Sequence, residues 1–147
     1  MKKLLLIAFV FASTLSFSQS TEDEDLRKIW ETNVQPIIDL NIEQLKTTVQ
    51  APLGGDWYEQ IDPEMWEDDV TEEFFYDNVE AIFTEDARQY LSGKDYNALS
   101  VMGDEDWTVV TLLIILSVDE EGWTESSMGL EFESVEGQWM LTGVSYY

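Results

Sequence analysis

Residues 107–118, Trp-Thr-Val-Val-Thr-Leu-Leu-Ile-Ile-Leu-Ser-Val, constrain this chain more than any other stretch. The run is β-branched and apolar on both alternations, whereas a strand with one wet face alternates apolar with polar. It reads as a central strand covered on both faces, so a sheet must surround it and other elements must cover that sheet. Residues 124–134 supply a neighbour with clean alternation. Met128, Leu130 and Phe132 fall on one face, and Gly129, Glu131 and Glu133 on the other. Asp119 to Trp123 makes the turn between the two. Val135-Glu136-Gly137 reads as a three-residue hairpin loop with Gly at the left-handed position, and residues 138–146 as the closing strand. Tyr96 to Met102 adds a short strand ahead of the long run.

Before Gly93 the period is helical. Leu26, Ile29, Trp30, Val34, Ile37 and Ile38 recur at helical spacing, and Pro36 predicts a kink because it lacks a backbone donor. With Ile42, Leu45 and Val49 the helix runs to about Thr48, in one piece or two, and Ala51-Pro52-Leu53-Gly54-Gly55 ends it. Thr71 reads as an N-cap with Glu72 and Glu73 in the first turn. Phe75, Val79, Ile82 and Phe83 make one apolar helix face, and Thr84 starts a further short helix carrying Ala87 and Leu91. Helices first and a meander after them predict an α+β domain, its N-terminal helices packed on a curved antiparallel sheet.

The first 18 residues stand apart. Lys2 and Lys3 precede an apolar stretch from Leu4 to Leu15, and Ser16 and Ser18 occupy the −3 and −1 positions of a small-residue cleavage site. This is the layout of a secretory signal peptide cut before Gln19, too short in its apolar part for a spanning helix. Residues 19–147 then form a single domain, exported to the periplasm or beyond the cell. Without the leader, 5 Lys and Arg face 31 Asp and Glu, a net charge of −26. Such a field repels nucleic acid and anionic lipid headgroups. The chain holds neither Cys nor His. That excludes disulfides, thiol nucleophiles, imidazole bases, Ser-His-Asp triads and metal sites built on either residue.

One resemblance emerges along the mature chain. After the leader come a helix with an internal Pro, then Thr47-Thr48-Val49-Gln50-Ala51-Pro52-Leu53-Gly54-Gly55-Asp56-Trp57. Glu73-Phe74-Phe75 and Ile82-Phe83-Thr84-Glu85-Asp86-Ala87 follow, and the chain closes on Phe132-Glu133-Ser134-Val135-Glu136-Gly137-Gln138-Trp139-Met140-Leu141-Thr142-Gly143. This order resembles the small exported proteins of Bacteroidetes-type bacteria in the NTF2-like, cystatin-like α+β class. The resemblance implies a cone-shaped domain with helices wrapped on a bent sheet and a pocket between them. It implies no common activity, and the His that enzymes of the class commonly use is missing here.

Two groups of residues outside the core pattern are candidates for function. The first is aromatic: Trp57, Tyr58 and Trp66 in the irregular segment 54–70, with Trp107, predict a ligand-binding, aromatic-lined pocket. Trp139, Tyr146 and Tyr147 could line the same space, although aromatic residues also serve as core in a small domain lacking disulfides. The second group is the carboxylates of the same segment, Asp56, Glu59, Asp62, Glu64, Glu67, Asp68 and Asp69. Their spacing lacks the alternation and turn Gly of a calcium loop, so they read as a solvated acidic surface rather than a metal site. No residue is assigned a catalytic role, and no cofactor is implied. The leading reading is a soluble, exported, non-enzymatic module that binds a small molecule or protein on the concave face of its sheet. The alternative is a small hydrolase or isomerase using Asp, Glu and Tyr in the same cavity.

Overall fold

A computed structural model of the chain describes residues 23–103 and 108–147; the leader and Trp107 lie outside the described residues. Helix α1 covers residues 23–38. It is α-helical to residue 29, widens into a π-turn over Trp30–Val34 and closes as α-helix over Gln35–Ile38. The wide turn answers Pro36, which cannot donate and whose ring crowds the carbonyl four residues earlier. The Gln35 N–H accordingly reaches back to the Trp30 carbonyl. The chain does not break at Pro36. It breaks at Leu40, whose φ of 50° lies in the left-handed region. There the Asn41 and Leu40 N–H groups donate to the Pro36 and Ile37 carbonyls at 2.8 and 3.2 Å, the pattern of a Schellman stop. The Asn41 side chain then accepts from the Gln44 N–H and starts α2, Ile42–Thr48. The predicted helical stretch to Thr48 is thus two pieces.

Helices α3 (Glu72–Asp77), α4 (Val79–Ile82) and α5 (Glu85–Ser92) follow the irregular segment, which itself contains single 3₁₀ turns at Trp57–Gln60 and Glu67–Asp69. Thr71 and Thr84 cap α3 and α5 by accepting from the Phe74 and Ala87 N–H groups. Between α3 and α4 the side-chain amide of Asn78 donates to the Phe74 carbonyl at 2.8 Å, competing with the helical ladder where the helix stops.

Five strands form one sheet: β1 (Val49–Gly54), β2 (Ser100–Gly103), β3 (Thr108–Val118), β4 (Thr124–Val135) and β5 (Gln138–Tyr146). Their order is β1-β5-β4-β3-β2. Helices cover one face of this curved, unclosed sheet, the α+β plan expected of the chain. Strands β2 to β5 pair antiparallel, and β1 adds a parallel edge on β5. That edge strand occupies residues expected only to terminate a helix. Residues 96–98, expected as strand, form a 3₁₀ turn ahead of β2.

Two other expectations change. β3 lies inside the sheet between β4 and β2, as expected, although β2 borders it only from Thr108 to Thr111. Its core face carries Val110, Leu112 and Ile114, while Leu113 on the opposite face is 52% exposed, so the long run is fully covered on one side only. In the last hairpin Val135 pairs with Gln138, which leaves a two-residue loop. Glu136 and Gly137 both have positive φ, 51° and 83°, as a type I′ turn requires.

The core lies between Ile29, Val34 and Ile37 of α1, Phe75, Ile82 and Leu91 of the later helices with Phe83 just after α4, and Leu112, Met128, Leu130, Phe132 and Leu141 of the sheet. No helix among the described residues is long and apolar enough to cross a membrane.

Candidate functional site

The site grows from β1 and the turn that follows it. Pro52, next to a cis peptide bond from Ala51, cannot donate to a ladder and is tolerated because β1 is an edge strand. At Gly55 the chain turns with φ 94°, and a Cβ there would fall 1.9 Å from the Val144 carbonyl oxygen. Only glycine lets the backbone pass so close to β5. Asp56 fastens the turn, its Oδ1 accepting from the Tyr146 N–H at 2.8 Å. Tyr146 in turn donates its hydroxyl to the Ile82 carbonyl at 2.8 Å, which ties β5 to α4. Burial, followed by the charge of Asp56, pushes the Tyr146 phenol up to about 12.

The turn delivers Trp57 into the interior. Its ring is fully buried, edge-on to Phe75 at 5.3 Å and to Tyr58 at 6.1 Å, and its Nε1 donates to the Leu53 carbonyl at 3.4 Å. A slot of about 310 Å³ remains between β1 and the start of α3. Val49, Ala51, Pro52 and Leu53 form one wall, Trp57, Val70 and Phe75 the other, and Thr71 and Glu72 stand among the lining as its polar members. An open cleft of about 660 Å³ adjoins it, lined by Lys46, Thr71, Glu72, Glu73, Tyr76 and Asp77. Thr71 and Glu72 belong to both linings. Glu72 and Tyr76 are four residues apart on α3, so they share a helix face.

Tyr76 has the least satisfied polar group of the region. Its hydroxyl oxygen is buried and accepts no hydrogen bond. Burial raises its pKa first, and the neighbouring Glu72 carboxylate adds to this through its charge and by accepting from the phenol, to about 12, so the phenol is neutral across the physiological range. Lys46 Nζ lies 6.0 Å from the Tyr76 ring centroid and is ion-paired with Glu43 at 3.0 Å.

The aromatic residues singled out from sequence separate. Trp57 lines the slot and Tyr58 is buried beside it, its pKa raised by burial and then by Glu59, Glu67 and Asp56. Trp66 is 77% exposed and lies outside both linings. Trp107 lies outside the described residues. Tyr146 helps to fix the turn, and Trp139 packs against the core. The acidic segment is spread out: among the described residues no three carboxylates converge where they could hold a metal ion.

Sequence reasoning missed the β1 wall, Glu72 and Tyr76 as site residues. The signals were present. Val49, Ala51 and Leu53 alternate as a strand does, and Glu72 and Tyr76 follow a recognised N-cap at helical spacing.

No family model matches the chain, and no curated protein matches it. Among solved structures it is similar to a protein of Shewanella frigidimarina NCIMB 400 provisionally assigned as a ketosteroid isomerase. The two share 10% identity at a TM-score of 0.47, over 83% of this chain and 94% of that one.

Proposed function

We propose that the chain is an exported, non-enzymatic binding module that takes a small molecule with an apolar body into the slot between β1 and α3. The slot itself carries this reading: an apolar recess with few polar groups at its margin is the usual form of a small-ligand site. Trp57, Phe75, Phe83 and Phe132 fill the interior between helices and sheet, so the binding position lies at the β1 margin of the helix-bearing face rather than at its centre. Binding is favoured over catalysis by the placement of the carboxylates. Every described Asp and Glu is exposed or half-buried, so none has the water-excluded setting in which enzymes commonly hold a catalytic carboxyl.

Thermal melts with neutral aromatic alcohols test the reading. The melting temperature should rise and follow RT ln(1 + [L]/Kd), and Leu53→Trp, which fills the slot, should abolish the rise. A panel that leaves the melting temperature unmoved, or an equal response from Leu53→Trp, rejects it. Export is tested separately by N-terminal sequencing, where protein outside the cytoplasm should begin at Gln19; retention of Met1 rejects the leader.

A further inference from the structure

We propose that the ligand of the slot is a cationic amphiphile, its aliphatic or aromatic body lying against Leu53, Trp57 and Phe75 and its ammonium or guanidinium head held at Glu72. The proposal rests on the slot being a binding site. Along its walls the slot is apolar, so each methylene of a ligand chain that enters should tighten binding about fourfold. The slot meets the adjoining cleft at Thr71 and Glu72, and beyond that point Glu73 and Asp77 also line the cleft. Lys46, the cation in that lining, already pairs with Glu43. The Thr71 hydroxyl already accepts from the Phe74 N–H.

The Tyr76 hydroxyl completes the chemistry. Its oxygen is buried, accepts no hydrogen bond and stands one helical turn from Glu72. A buried acceptor without a donor is costly, and a ligand that supplies one gains what the free protein lacks. An anionic head would meet the carboxylates of Glu72, Glu73 and Asp77. An alcohol has a single proton to donate. An ammonium has three, with positive charge beside Glu72 and N–H groups for both the carboxylate and the phenol oxygen.

The test is calorimetric titration with three homologous series from four to eight carbons: n-alkylammonium ions, n-alkanols and n-alkanesulfonates. Affinity should rise with chain length in the ammonium series, which should exceed the alkanols by about tenfold at equal length and the sulfonates by more. Glu72→Gln should remove the ammonium excess, and Glu85→Gln, at the start of α5 and outside both linings, should leave it intact. Equal loss in both variants would assign the excess to the overall negative field and overturn the proposal. Alkanols as tight as ammonium ions, with the chain-length trend retained, would also overturn it while leaving the slot reading in place. Absence of any chain-length trend in all three series would remove the slot reading and the proposal together.

Discussion

Tyr146 shows how one residue can join three parts of this molecule. Its backbone meets Asp56, its hydroxyl meets the Ile82 carbonyl, and the strand that carries it closes against the turn that places Trp57. That position has a consequence at high pH. In the unfolded chain a tyrosine ionises near 10, while in the folded protein the Tyr146 and Tyr76 phenols are held neutral to about 12. Their contribution to stability is therefore complete below pH 10 and is lost as pH rises from 10 through 12, because the unfolded state releases these protons first. Denaturant melts between pH 9 and 12 should show that decline, and Tyr146→Phe should make it shallower. At neutral pH the same substitution should cost about 1 kcal/mol through the unpaired Ile82 carbonyl. A variant that declines as steeply as the parent above pH 10 would rule out the role of Tyr146.

At the scale of elements, β3 gives the sharpest contrast between adjacent residues. Ile114 is fully buried on the core face, while Leu113 is 52% exposed on the other. Ile114→Ala should cost about 2–5 kcal/mol, as large-to-small changes in packed cores do. Leu113→Ala should cost less than about 1 kcal/mol, since much of its surface is already in water. Equal losses from the two would mean that the open face is covered in solution. The same strand shows what could be read from the sequence. Periodicity identified β3, β4, β5 and the capped helices because burial on one face imposes a pattern on each. It overstated β3, since apolar residues on both alternations record composition and not cover. It missed β1, where Pro52 and two glycines mask a short alternating strand whose partner lies far along the chain. The slot was obscure for the same reason: one of its walls is that strand.

Across the whole molecule, charge is scarcely balanced by ion pairs. Lys46 with Glu43 is the one ion pair among the described residues. Arg27 stacks on Tyr96 with its guanidinium 4.0 Å from the ring centroid and donates to the Tyr96 hydroxyl, Lys94 sits over Tyr90, and Arg88 donates to the Phe83 carbonyl. The described carboxylates lie exposed or half-buried, and folding brings them closer together than the open chain does. Sodium chloride should raise the melting temperature at pH 7 by screening that repulsion. Calcium at matched ionic strength should give the same curve; a saturating excess with calcium would reveal a dedicated site, and indifference to salt would reject the repulsion.

The parallel edge also sets an order of events for a chain that emerges from its N-terminal end. Asp56 and Tyr146 are 90 residues apart, yet the turn at Gly55 is fixed only when β5 lies beside it. β1 has no partner until the last hairpin closes. Synthesis or threading therefore delivers the slot last, and a chain arrested before residue 138 lacks the strand on which its binding wall is built.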